Sequence, residues 1–538
     1  MARRSPPWPS TGAFLTIFAL ALAVSPTKAL AQLWTRLTGK RVRAWHRLGR
    51  LAVSHPCFYQ RWRARFLPGI IRRWIGPQAG VVGMALLPPT AGGTLADWLG
   101  SAGTADWLVP MLPGDQVAPE LAEVIAAAAA RNDDARIIYW DEDVATSAGL
   151  SRPWLKPDWD PLLHMARDCL SGAAALNRDS ALATLSRLPP IPADAAGLAE
   201  LLAAMIGDGV VPVHVPLVLT TRGEAPIVPA HWPALLGRHS PNWVIRGQDH
   251  GFVHLSPPDP QHWPSVSIII PTRDRADLLE VCLGGVARLA YPGAVEIIVV
   301  DNGSREPGAL ALMADAAARG QVRLLRDDAP FNYSRLNNRA AALAQGDYLC
   351  LLNNDVEAQD GDWLGHLVRH AVQPSIGAVG ARLLYPDGTI QHAGVAMGVG
   401  DAAGHIQRGE DPASPAHASW HAVSRRVSAV TGACLLVSAA DYRLVGGLDE
   451  AGFAVAFNDV DLCLRLRAAG RHNVYCAEAM LVHAESRTRP SDNRPDQRAR
   501  FQRELALLQT RWRTAAGGDP HHSPLFDRAS EQCLLALA

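Results

Sequence analysis

Between residues 265 and 490 the chain alternates short apolar or β-branched runs with segments of helix length. The runs are VSIII (266–270), EIIVV (296–300), VRLL (322–325) and YLCLL (348–352), and DLLEVCLGGVARL and ALALMADAAA supply two of the intervening helices. Alternation of this kind predicts an α/β unit built on a parallel, doubly wound sheet. Such sheets bind ligands at the carboxyl ends of their strands. Here the first strand runs into PTRDR, the second into DNGS and the fourth into NND. Polar residues therefore meet repeatedly at one edge of one sheet, and a site is expected there.

Several familiar sites are excluded. The string nearest to G-x-G-x-x-G, GVGDAAG (398–404), has the wrong spacing for a dinucleotide fingerprint. There is no G-x-x-x-x-G-K-[ST], no H-E-x-x-H and no G-x-S-x-G, which argues against a P-loop NTPase, a zincin and an α/β-hydrolase. Eight cysteines occur without a C-x-x-C pair, several of them inside apolar runs. That pattern suits core thiols in a reduced compartment better than a disulfide framework or a zinc site.

Five residues carry chemistry. Asp301 follows IIVV, where a carboxylate can accept from a base N–H or from ribose hydroxyls, although D-N-G-S is also good turn chemistry. Asp355 closes NND; Mg2+ or Mn2+ often takes only one or two protein carboxylates beside substrate phosphates, and the alternative is an Asx-turn. Asn353 can hydrogen-bond a sugar hydroxyl without adding charge. In FNDVDLCLRLRAAG (457–470), Val460, Cys463, Leu464 and Arg467 share a helical face and Gly470 suits the stop. Asn458 and Asp461 are expected to form an approximate capping box. Asp459 is then left near the helix start, placed to take a proton from a hydroxyl if burial or a neighbour adjusts a pKa that the helix dipole lowers. His483, in MLVHAES, is either a metal ligand or a satisfied core histidine.

In their order and separations, PTRDR, VVDNGS, LLNND, TGACLLV, GGLDE, FNDVDLCLR and LVHAES resemble the family 2 inverting glycosyltransferases of the GT-A fold, over about residues 265–490. PFNYSRLNNRAA (330–341) and YPDGTIQHAGV (385–395) are similar to bacterial transferases that build O-antigen and related surface polysaccharides, rhamnosyltransferases among them. The resemblance implies a nucleotide-diphosphate sugar donor, a glycan or lipid-linked acceptor, hexosyl or deoxyhexosyl transfer and a divalent metal, Mg2+ or Mn2+. Pro271, Thr272 and Arg273 would lie along the nucleotide, Asp301 would contact the base, and Asn353 and Asn354 would border the donor. Asp355 would hold the metal, with His483 beside it, and Asp459 would be the catalytic base. The D-x-D place begins with Asn353 rather than Asp, so metal binding leans on Asp355.

The remaining chain divides around this unit. Residues 1–78 form a basic, partly apolar segment; 80–240 form another α/β unit; 241–264, with SPPDPQHWP, are a linker; 491–538 are a helical tail striped by Phe501, Leu505, Leu508 and Trp512. In the first unit ADWLVPMLPGDQVAPE (105–120) imitates DYLCLLNNDVEAQD, with Asp115 at the place of Asp355. IIYWDEDV (137–144) and RPWLKPDWDPLL (152–163) recur in large two-domain members of the family, but nothing matches PTRDR or DNGS. It reads as a truncated, inactive glycosyltransferase-like domain. Asp141, Glu142 and Asp143 there are read as a solvated acidic turn in preference to metal ligands.

Formal net charge is zero, but residues 1–78 hold fourteen Lys or Arg and no acid, leaving 37 basic against 51 acidic residues beyond them. This points to an anionic membrane surface as partner and not to nucleic acid. The apolar run Gly12–Val24, preceded by Arg3 and Arg4, is shorter than the roughly 20 residues of a spanning helix. It reads as an interfacial or marginal anchor, with a cleaved signal and a plain buried helix as alternatives. The expected location is the cytoplasmic face of the inner membrane. A non-catalytic scaffold that binds nucleotide sugar or glycan is the second functional reading, and a sugar-phosphate nucleotidyltransferase the third.

Overall fold

The computed structural model describes residues 11–37, 41–53, 55–77, 80–88, 92–147, 149–150, 153–223, 229–249, 251–413, 417–485 and 495–537. Arg3, Arg4 and Arg152 lie outside the described residues. Two compact units form: Met1–Pro241 with Ser523–Ala538, and Asn242–His522.

The first unit opens on helices Thr11–Val24, Pro26–Leu37, Arg41–Val53 and Phe58–Ile75. In the first of them Phe14, Ile17, Leu20 and Ala21 are buried, so its apolar face turns to the chain itself. Its 14 residues give about 21 Å of helix against a hydrocarbon core of about 30 Å. Among the described residues no helix is long and apolar enough to cross a membrane. A sheet follows, from β1 (Met84–Leu87), β2 (Trp107–Pro110), β3 (Gln116–Val117), β4 (Ile137–Thr146), β5 (Gly149–Leu150), β6 (Ala174–Asn177) and β7 (Val213–Arg222). Its order is β1-β2-β6-β4-β7-β3, with β5 beside β4. The carboxyl-terminal residues return here: Trp62 Nε1 donates to the Ala536 carbonyl at 2.6 Å.

The second unit begins with the hairpin β8 (Val244–Asp249) and β9 (Phe252–Ser256). Its large sheet draws on β10 (Val266–Thr272), β11 (Val295–Asp301), β12 (Arg323–Arg326), β13 (Tyr348–Leu352), β14 (Val356–Ala358), β15 (Ile376–Leu384) and β16 (Ile390–His392). After the ribbon β17 (Val395–Met397) and β18 (Ala403–His405), it is completed by β19 (Arg425–Val427), β20 (Cys434–Ser438) and β21 (His472–His483). The order is β12-β11-β10-β13-β20-β15-β21-β14. Strands β12, β11, β10 and β13 are mutually parallel, as the alternation of apolar runs and helices predicts. β20 then runs antiparallel to β13, so the sheet is mixed. The core gathers Ile269, Val300, Leu349 and Leu351 from the sheet with Leu336, Leu462 and Leu508 from helices.

The two sheets share one plan. β1, β2, β6, β4, β7 and β3 repeat the order and strand senses of β10, β13, β20, β15, β21 and β14. Among the described residues the first unit has no counterpart of β11 and β12. Asp115 precedes β3 as Asp355 precedes β14, and Gln116 pairs with Thr221 where Val356 pairs with His483. Thr221 thus stands at the histidine's place.

Two local expectations are corrected. Asp141, Glu142 and Asp143 are no solvated turn; they lie on β4 and are buried. Each has a donor or cation: His214 Nε2 lies 3.0 Å from Asp141, Lys156 Nζ 3.1 Å from Glu142 and Arg63 Nε 2.9 Å from Asp143. The capping box at Asn458 is also absent. Phe457, left-handed at φ 61°, is the cap residue, and no side chain caps that helix. Asp461 is fully buried and accepts from Arg465, Arg511 and Trp512 instead.

Candidate functional site

A cleft of about 710 Å³ opens at the carboxyl ends of β10 and β13. Pro271, Thr272, Arg273, Asn353, Asn354, Asp355, Asp459 and His483 all line it. Asp301 does not; its neighbour Asn302 does. The Asp301 carboxylate is buried, accepting from Ser304 N at 2.8 Å and pairing with Arg326.

Backbone geometry sets the rim. Asp274 and Arg275 are both left-handed, at φ 54° and 53°. Asp274 Oδ1 accepts from Arg305 N at 2.6 Å and Glu306 N at 2.8 Å, ahead of the helix Pro307–Ala318. Those N–H groups hold its carboxyl below the usual range. The PTRDR and DNGS loops are thereby stitched together. Asn354 Nδ2 donates to Thr272 Oγ1 at 3.0 Å, tying the end of β13 to the end of β10.

Asp459 sits in the first turn of the helix Asn458–Ala468. Its Oδ2 accepts from Gly432 N at 2.8 Å and its Oδ1 from Val460 N at 2.9 Å. The Gly432 carbonyl accepts from the Tyr333 hydroxyl at 2.8 Å. An added Cβ at Gly432 would stand 3.3 Å from that hydroxyl and 3.5 Å from Asp459 Cβ, so the close approach suits glycine.

The electrostatics around His483 form a relay. Glu485 Oε2 accepts from Arg408 Nη2 at 3.1 Å, Tyr385 OH at 3.0 Å and Gln391 Nε2 at 3.0 Å. Burial pushes the Glu485 carboxyl up, but the Arg408 charge and the Tyr385 hydroxyl outweigh it and hold it below the usual range. A carboxylate only accepts, so the Gln391 amide must turn its NH2 to Glu485 and its Oε1 to His483 Nδ1, 2.8 Å away. Nδ1 then carries the proton. His483 Nε2 faces Asp355 Oδ1 at 3.0 Å, and in the neutral ring both atoms are acceptors. A cation between them resolves the conflict, as a second ring proton or as a metal ion. Asp355 and His483 therefore fit a divalent cation, and Asn353 Nδ2 stands 3.4 Å from the same nitrogen.

Sequence reasoning assigned no role to Gln391, Glu485, Asp274 or Gly432, although all lie inside the motifs singled out. Gln497 and Arg500, on the final helix Pro495–Trp512, also line the cleft. The apolar stripe of that helix predicts its packing and says nothing of where its polar side chains reach.

Residues 267–398 match the model for Glycosyl transferase family 2. The chain carries a glycosyl transferase family 2 domain. That family and the mixed α/β sheet agree with the GT-A fold. Asp459 and His483 fall beyond the matched residues. The chain is 32% identical over 462 residues to the O-antigen biosynthesis protein RfbC of Myxococcus xanthus, across 81% of this chain and 34% of that one. It is 44% identical over 268 residues to the uncharacterized protein y4gI of Sinorhizobium fredii, across 48% of this chain and 29% of that one. It therefore spans about a third of the length of these two relatives. An N-acetylglucosaminyl-diphospho-decaprenol L-rhamnosyltransferase of Mycobacterium tuberculosis is 28% identical over 222 residues, covering 38% of this chain and 71% of that one.

Proposed function

We propose that the chain is a metal-dependent, inverting glycosyltransferase that moves a hexosyl or deoxyhexosyl unit from a nucleotide-diphosphate donor to a glycan or lipid-linked acceptor in bacterial surface-polysaccharide synthesis. The observation that carries this reading is the meeting, in the lining of one cleft of about 710 Å³, of an Asp355–His483 pair fit to hold a cation with the carboxylate of Asp459. The O-antigen and rhamnosyltransferase relatives support the pathway and substrate class.

In this reading Pro271, Thr272 and Arg273 lie along the nucleotide, and Asp301 contacts the base once its Arg326 partner yields or bridges. Asn353 and Asn354 border the donor. Asp459 accepts the proton of an acceptor hydroxyl, whose oxygen attacks the anomeric carbon as the bond to the diphosphate breaks. Inversion follows from a single displacement. A divalent cation, Mg2+ or Mn2+, bound by Asp355 and His483 would supply charge stabilisation for the departing diphosphate. The basic residues 1–78 would add affinity for anionic lipid at the cytoplasmic face of the inner membrane.

Calorimetry of nucleotide sugars with the full chain, with and without Mn2+, tests the donor site. Metal-dependent binding is expected in the wild type and lost in Asp355→Ala. Asp459→Asn should keep donor binding and lose transfer; full activity in that variant would remove Asp459 from the base role. Asn353 at the first D-x-D place favours one other reading, a scaffold that binds donor or glycan without turnover. Binding without transfer to any acceptor extract would select it.

A further inference from the structure

Outside the cleft, among the described residues, one trio of side chains places three metal-ligating atoms within 4.8 Å of one another: His370, Cys476 and Glu478. None of them lines the cleft. His370 belongs to the last turn of the helix Trp363–Ala371, and the other two lie on β21. Between β15 and β21 the register jumps from Ala381↔Cys476 to Arg382↔Met480, leaving residues 477–479 outside that ladder. A bulge of this kind re-aims a side chain. Here it accompanies a Glu478 Oε2 that lies 3.4 Å from Cys476 Sγ.

His370 Nε2 lies 3.7 Å from the same oxygen, too far for a direct hydrogen bond. In a tetrahedral site with bonds of about 2.0–2.1 Å to N or O and about 2.3 Å to S, neighbouring ligand atoms stand roughly 3.3–3.8 Å apart. The 3.4 Å oxygen–sulfur separation lies close to that frame, and the 3.7 Å nitrogen–oxygen separation is somewhat wider than the roughly 3.3–3.4 Å of two such ligands. His370 and Cys476 are buried, and the Glu478 side chain is 15% exposed. Ser424 completes an outer layer: its hydroxyl donates to Glu478 and accepts from Ala477 N at 2.8 Å, which orients the carboxylate. Trp243 covers His370 edge-on.

We propose that His370, Cys476 and Glu478 bind a thiolate-ligated divalent transition metal of the zinc class, at a structural site separate from the cleft. A soft thiolate beside imidazole suits zinc-class ions and not the oxygen-seeking Mg2+. Binding forms the metal–sulfur bond and releases the Cys476 thiol proton to solvent. The metal would fasten the helix Trp363–Ala371 to β21, the strand that ends on His483.

Co2+ titrated into the metal-free full chain tests this. A cobalt–thiolate charge-transfer absorption saturating at a single equivalent, and displaced by Zn2+, is expected. It should vanish in Cys476→Ala, weaken at least about tenfold in affinity in His370→Gln, and persist in Asp355→Ala. Absence of the band in the wild type, or its survival in Cys476→Ala, overturns the proposal. Should neither ligand variant fold, X-ray absorption of the wild-type cobalt protein decides: a coordination shell with sulfur and imidazole nitrogen supports the site, and one without sulfur overturns it.

Discussion

At the scale of single residues, the acids and the histidine of the cleft are visible in the sequence because each follows a strand or opens a helix. What holds them is less visible. Gln391 sits in YPDGTIQHAGV, 92 positions before His483, and only folding brings its amide to 2.8 Å from the ring. If the amide fixes the His483 tautomer, Gln391→Leu should weaken Mn2+ binding by about 10–100-fold, read by electron paramagnetic resonance of free Mn2+. Unchanged affinity would mean that the ring needs no such partner. Asp301 shows the opposite case. Its position at a strand end is legible, but its engagement with Arg326 and Ser304 is not, since neither contact follows from spacing.

At the scale of elements, the parallel strands were legible because β-branched runs that must be buried on both faces have little else to form. Boundaries shifted slightly: β10 extends through Pro271 and Thr272, and β12 is Arg323–Arg326. The start of the helix Asn458–Ala468 was misread because a capping box is a local pattern, and a tertiary partner overrode it. Glu504, on the final helix, is buried and accepts from Val455 N at 3.2 Å and Ala456 N at 2.9 Å. These bonds clamp the loop that delivers left-handed Phe457 and then Asp459. Glu504→Ala strands two amide donors, so a loss of about 1–3 kcal/mol in thermal or denaturant unfolding is expected. Transfer should fall while donor affinity holds; equal loss of both would mean that the clamp serves the whole fold and not the base.

At the scale of the molecule, the first unit, among the described residues, repeats the sheet of the second without the strands that carry the DNGS loop. Its Asp115 is met by Arg222 Nε at 3.0 Å, by Leu112 N at 2.9 Å and by Gly223 N at 3.3 Å. A guanidinium thus neutralises the aspartate at the place of Asp355. Donor binding is accordingly expected at a single equivalent per chain by calorimetry, and two equivalents would restore the first unit as a donor site. Arg222→Leu should leave that stoichiometry unchanged while destabilising the first unit by about 3–5 kcal/mol, because Asp115 loses its buried partner. Burial pushes the Glu142 carboxyl up, but Lys156 and Arg222 outweigh it and lower its pKa on folding. Its stabilising contribution is full above the ordinary glutamate value and lost as pH falls through the lower folded value. Acid unfolding of the first unit should therefore move to higher pH in Arg222→Leu. The α/β class, the strand ends that bear the site and the family resemblance could be read along the chain, because periodicity and ordered motifs are properties of the linear polymer. Folding brings together the Gln391–His483–Asp355 relay, the Arg222–Asp115 pair and the trio of His370, Cys476 and Glu478. Those contacts depend on register, bulges and the burial of partners far apart in sequence, and no local pattern encodes them.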